Sequence, residues 1–125
     1  MIKHRHELHK IPETAWDEHK TSAYIQNGLK DLGLKFETIK TGIVVKIPGT
    51  NPKIMIGFRA DIDGLKIKEL CNCKFKSLHD GYMHACGHDA HAAILLGLAK
   101  YLIHHPPKDN IVLVWQPAEE GGGWK

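Results

Sequence analysis

Two short stretches hold most of the side chains able to do chemistry. Residues 83 to 91, MHACGHDAH, place three histidines, a cysteine and an aspartate within nine positions. Residues 117 to 123, PAEEGGG, bring two adjacent glutamates into a glycine-rich run. Thiolate, imidazole and carboxylate together suit Zn, Mn, Co or Ni, and ligand type alone does not choose among them. Cys86 and His88 stand two apart and can both turn toward one site if the intervening Gly87 permits a tight backbone. A helix beginning just beyond would mount them rigidly. Its partial positive charge, together with a metal ion, is expected to lower the pKa of the Cys86 thiol.

The elements that must position these residues follow from periodicity. Residues 17 to 32 set Ile25, Leu29 and Leu32 on one helical stripe, and Gly33 follows where a C-terminal cap belongs. KFETIK, GIVVKI and KIMIGFRA are short β-rich runs separated by Thr41-Gly42 and by Pro48-Gly49-Thr50-Asn51-Pro52, so three strands are predicted. Residues 64 to 82 show no period and read as a long loop. DAHAAILLGLAKYLIHH is apolar nearly all round; Asp89 is placed to cap it and Pro106-Pro107 to end it, predicting a largely buried helix. NIVLVWQ reads as a continuous apolar strand of the kind buried on both faces. Helix, strands, helix and strand in this order predict an α/β layer architecture with a mixed sheet. In such sheets ligands collect beyond the carboxyl ends of strands and at helix N-termini, so HACGHD and PAEE could face one crevice.

Composition narrows the function classes. The 125 residues suit one domain with one core. Seventeen Lys and Arg against 14 Asp and Glu leave a formal charge of +3, with no basic stripe interleaved with aromatics, which argues against nucleic acid as a partner. The charged opening MIKHRHELHK contains no signal-peptide core, and no apolar run approaches a membrane span, which favours the cytoplasm and no membrane partner. Cys71, Cys73 and Cys86 are odd in number and the step between the first two is poor geometry for a disulfide, so reduced thiols are expected. His4, His6 and His9 read as surface or supporting residues on an exposed N-terminal turn, and CNC at 71 to 73 as two loop thiols.

Five ordered motifs reach a known family. ELHKIPE at 7 to 13, TGIVVKI at 41 to 47, FRADIDGL at 58 to 65, MHACGHDAH at 83 to 91 and QPAEEGGG at 116 to 123 span almost the whole chain. Together they give it a pattern that resembles the metal-dependent amidohydrolases related to hippurate hydrolase, N-acyl-amino-acid hydrolases, N-acetyl-diaminopimelate deacetylase and auxin-conjugate hydrolases. The resemblance implies a zinc-exopeptidase-like catalytic domain holding two divalent metal ions. It assigns Cys86, His88 and Glu120 as metal ligands and Glu119 as the general base. Asp61, Asp63, Asp89 and His91 are expected to support those ligands. The implied reaction is hydrolysis of the amide bond of a small N-acyl amino acid by a metal-activated water. The sequence departs from the family's usual RADIDALP run at Gly64 and Lys66.

The resemblance also sets expectations about extent. Family members run to roughly three times this length as two domains, so residues 1–125 correspond to the N-terminal part of the catalytic domain. Two further histidine ligands, the other strands of the sheet and a lid domain through which full-length relatives form homodimers lie outside it, and the 125-residue chain alone is expected to be inactive. Two alternatives stand beside the amidohydrolase reading. One is a catalytically inactive remnant of such an enzyme. The other is a structural zinc module using Cys71, Cys73, Cys86 and a histidine, which the nonstandard ligand spacing disfavours.

Overall fold

The computed structural model describes residues 1–123. Among them the order of elements is α1 (Ile2–His9), α2 (His19–Asp31), β1 (Glu37–Ile39), β2 (Gly42–Ile47), β3 (Met55–Asp61), α3 (His88–His104) and β4 (Asn110–Gln116). The strands form one sheet in the order β1-β2-β4-β3. β1 with β2 and β2 with β4 are antiparallel, whereas β3 and β4 run parallel. This is the mixed α/β sheet expected from the element order. A parallel pair requires a crossover, and α3 supplies it.

Alternation along the strands identifies the core face. Ile43, Val45 and Ile47 of β2 are buried opposite Trp115, Leu113 and Ile111 of β4. α3 packs on β3 and β4, α2 packs on β2 and on α3, and α1 packs on α3. Buried Leu95, Leu96 and Ala99 of α3 and Ile25 and Leu29 of α2 belong to the same apolar cluster as the strand residues. The Trp115 indole N–H donates to the carbonyl of Ala92 at 3.2 Å, which settles the helix on the sheet and satisfies a buried donor. β4 is therefore buried on one face only: Val112 and Val114 remain half-exposed because the described helices all cover the other side. β3 lies at the edge, with Met55, Ile56 and Phe58 exposed.

Helix ends are set by specific groups. Gly33 adopts φ 71° beyond α2, with its N–H on the Lys30 carbonyl and the Leu34 N–H on the Leu29 carbonyl, the paired bonds of a Schellman cap. At the other end, Glu13 accepts from the Lys20 and Thr21 N–H groups at 3.0 and 2.8 Å, so a carboxylate outside the helix satisfies its open donors. α3 begins at His88, with Gly87 at φ 84° as its cap residue, and Asp89 does not cap it. The N-terminal segment differs from the exposed turn expected: it is the helix α1, and its Leu8 and His9 are buried. Its apolar residues are too few to mark a stripe, and what holds it is contact with α3.

One topological fact positions the site. Asp61 and Gln116 are register partners on the parallel strands, so the chain leaves β3 and β4 at the same edge of the sheet. The crossover returns from that edge, which places the start of α3 there too.

Candidate metal centre

The centre is built around His88, a 5% exposed residue at the first turn of α3. Its Nδ1–H donates to the main-chain oxygen of Asp63 at 2.9 Å and to Asp63 Oδ1 at 3.0 Å. That nitrogen carries a proton, so Nε2 is the nitrogen through which the neutral ring can take a ligand role. Nε2 faces Asp61 Oδ2 at 3.6 Å, Glu119 Oε2 at 3.9 Å and Glu120 Oε1 at 3.9 Å. The donor atoms of Cys86, His88 and Glu120 lie within 4.8 Å of one another, as do those of Asp61, His88 and His91. A lone pair ringed by carboxylates and a thiol is a donor set that a divalent cation fits. The two triads share the one free nitrogen of His88, so that nitrogen can be a terminal ligand to only one ion.

The carboxylate loops are held with equal care. Asp63, 1% exposed, accepts the Glu120 N–H on Oδ2 at 2.8 Å, so one side chain orients both His88 and Glu120. Ala118 sits at φ 56°, a left-handed conformation costing about 1–2 kcal/mol for a residue with a Cβ. What holds it is Glu18, fully buried, which accepts the Ala118 N–H at 2.7 Å and the Thr41 hydroxyl at 2.7 Å. Gly121 passes so near Ala15 that an added Cβ would come to 2.5 Å of the Ala15 Cβ, which explains a glycine directly after the glutamates.

The charges act on one another. For Asp63, burial pushes the pKa up, but the His88 ring, the Glu120 N–H and the His88 charge outweigh it and the net shift is downward. For His88, burial pushes down, but the bond to Asp63 and the charges of Asp61 and Asp63 bring the net shift upward. The Cys86 thiol is raised, first by its hydrogen bond with Glu120, then by burial and by the charges of Glu120, Glu119 and Asp61. The helix start by itself does not favour the thiolate, because three neighbouring carboxylates outweigh its partial charge; the expected lowering at Cys86 rests on the metal ion. Only a cation among these groups can reverse the balance.

The sequence-predicted residues are thus mostly brought together. Asp61 and Asp63 contact His88, and the His91 Nδ1–H donates to Asp61 Oδ1 at 2.6 Å. Asp89 makes its contacts elsewhere, accepting from His9 Nδ1 at 2.7 Å and pairing with Arg5 at 2.9 Å. His9, expected near the surface, is a buried strut whose Nε2 also reaches Glu69 Oε1 at 3.1 Å. Glu18 was not foreseen, since nothing local distinguishes a glutamate that will be buried from one that will be solvated. His9 and Glu13 did carry a signal, as members of the ELHKIPE run. Gly64 lies close to Pro12, whose Cβ would meet an added Cβ at 3.0 Å, so the usual alanine would be tight in this packing.

Comparison with known proteins identifies the family. Residues 57–125 match the family described as Peptidase family M20/M25/M40, and the chain belongs to that family. It is 52% identical over 126 residues to N-acetyldiaminopimelate deacetylase of Priestia megaterium (strain ATCC 12872 / QMB1551), covering 98% of this chain and 34% of the relative. It is 48% identical to the protein of the same description from Anoxybacillus flavithermus (strain DSM 21510 / WK1), covering 98% of this chain and 33% of that one. Among solved structures, the Bacillus subtilis YXEP protein, described as a dinuclear metal-binding peptidase of the M20 family, superposes with a TM-score of 0.91 at 38% identity. That match covers 95% of this chain and 35% of the other. The chain spans about a third of the length of the curated relatives it matches. No helix among the described residues is long and apolar enough to cross a membrane.

Proposed function

We propose that this chain is the metal-binding N-terminal part of the catalytic domain of a metal-dependent amidohydrolase acting on small N-acyl amino acids. N-acetyldiaminopimelate is the first candidate, because it is the substrate in the names of the relatives. The observation that carries the reading is the free Nε2 of His88, oriented by Asp63 and surrounded by Cys86, Asp61, Glu119 and Glu120. Cys86, His88 and Glu120 would hold a divalent ion, with Zn, Mn, Co and Ni all compatible with the donors. When bound, a pair of such ions acidifies water and polarises an amide carbonyl.

The rest of the chemistry falls to the chain's own residues. Glu119 is the more exposed of the glutamates, with 41% of its side chain accessible against 28% for Glu120. It can therefore face the crevice as general base, taking a proton from the attacking water and passing it to the leaving amine. Asp63 keeps the His88 ring and the Glu120 main chain in place, Asp61 fixes His91, and Glu18 fixes the turn that presents both glutamates. In this reading the remaining ligands, and the lid through which subunits pair, come from the part of the relatives' length that this chain does not span.

A chimera tests the proposal. The 125 residues replace the equivalent N-terminal third of the Priestia megaterium relative, and release of free amine from N-acetyldiaminopimelate and from a benzoyl amino acid is measured. Turnover of either substrate, abolished by a chelator, is the expected result. A folded, metal-loaded chimera that hydrolyses no N-acyl amino acid overturns the reading.

A further inference from the structure

The long loop between β3 and α3 contains a second group of ligating side chains that the centre above does not use. Cys71 and Cys73 flank Asn72, and their sulfurs lie with a Glu69 carboxylate oxygen inside a 4.8 Å sphere of mutual distances. Both cysteines are free; Cys71 is exposed and Cys73 half-buried. Glu69 is only 4% exposed, unusual for a carboxylate on a loop. It is fixed by the Ser77 N–H on Oε2 at 2.7 Å and by His9, whose Nε2 lies 3.1 Å from Oε1, while the Cys73 thiol donates to Oε1 at 3.8 Å. A carboxylate held from two sides thus faces two thiols; Oε2 has a lone pair to spare, and Oε1 regains one when Cys73 gives up its proton.

We propose that Glu69, Cys71 and Cys73 form a second cation site, selective for thiophilic divalent ions with Zn2+ foremost, distinct from the centre at Cys86, His88 and Glu120. Tetrahedral zinc with S and O ligands sets its donors roughly 3.5–3.8 Å apart. The present spacing closes to that with a shift of about 1 Å in the thiol-bearing part of an exposed loop. Water completes the fourth position. Binding converts two thiols to thiolates and releases two protons. Because those protons must leave, uptake strengthens as pH rises. Lys68, Lys74 and Lys76 lie within the same segment and offset the net negative charge of two thiolates and a carboxylate around a dication. Because Glu69 is tied through His9 to Asp89 in the first turn of α3, an ion here would fasten the loop to the elements carrying His88.

The experiment is cobalt and zinc titration of the 125-residue chain carrying Cys86→Ala, which removes the only other thiolate. Under reducing conditions one equivalent of Co2+ should raise the thiolate-to-cobalt charge-transfer absorption, and Zn2+ should displace it. Cys71→Ser or Cys73→Ser on that background should cut the band to half or less, and both together should remove it. A second readout uses the otherwise unaltered chain. Zn2+ should slow alkylation of the two thiols in the tryptic peptide Glu69–Lys74, and should do so in Cys86→Ala as well. Absence of the band in Cys86→Ala, a band that survives the double serine change, or alkylation of that peptide at the same rate with and without Zn2+ would each overturn the proposal. Loss of amide hydrolysis in the chimera leaves these readouts untouched, so the two readings fail separately.

Discussion

Asp63 grips His88 through a single nitrogen: the Nδ1–H of His88 lies 2.9 Å from the Asp63 main-chain oxygen and 3.0 Å from its Oδ1. The other carboxylate oxygen takes the Glu120 N–H at 2.8 Å. One side chain therefore orients both the His88 ring and the Glu120 main chain. Asp63→Asn should leave the chain folded yet weaken Zn2+ or Mn2+ binding by roughly 10- to 100-fold, the usual effect of losing a partner behind a ligating histidine. Calorimetric titration against the unaltered chain checks it, and equal affinities would show that the ring is held by packing alone.

The adjacent glutamates should separate into two roles. In the chimera, Glu119→Gln keeps shape and removes basicity, so hydrolysis should fall by roughly two to four powers of ten with metal content unchanged. Glu120→Gln should lose metal and activity together. Counting metal on the samples used for rates decides the matter: metal loss confined to Glu119→Gln would exchange the assignments.

Glu18 connects the start of α2 to the turn before the glutamates. Glu18→Ala strands the Ala118 N–H and the Thr41 hydroxyl, each costing about 1–3 kcal/mol when buried without a partner. The denaturation midpoint should drop accordingly, and metal affinity should fall with it because Ala118 loses what holds it at positive φ. If stability fell while affinity stayed the same, the turn would be held from elsewhere.

His84 gives the acid response its sign. It is 4% exposed, and neither ring nitrogen has a hydrogen-bond partner among the described residues. Burial, its largest influence, lowers the pKa from 6.5 to about 4. The folded state thus prefers the neutral ring. Its contribution is complete above pH 6.5 and is lost as pH falls from 6.5 toward 4, by up to about 3 kcal/mol. Below that window both states are protonated and the curve flattens. His84→Leu should remove this part of the pH dependence, read from urea midpoints at pH 7, 5.5 and 4. Parallel curves for the two proteins would rule out the buried neutral ring.

How much of this was legible beforehand depended on the range of the interactions. The α2 stripe with its Gly33 cap, the strand runs and the long apolar helix are local patterns of period 3.6 or 2, so residues 19–31, 42–47, 88–104 and 110–116 could be located from neighbours alone. Cys86, His88 and the Glu119-Glu120 pair stood out by type and spacing, whereas Asp61 and Asp63 were indicated only by the resemblance of the five motifs to a known family. α1 escaped because one buried leucine and one buried histidine make no period. The direction in which Cys86 shifts, the role of Glu18 and the turning of Asp89 toward His9 instead of His88 were invisible for a different reason. Each is decided by groups tens of residues away, as with Glu18 and Ala118, which stand 100 positions apart. Sequence alone determined which donors were present and which short elements would carry them. Only the parallel pairing of β3 with β4, which delivers Asp61 and Gln116 side by side under the start of α3, decided which donors meet and which carboxylates set their charge.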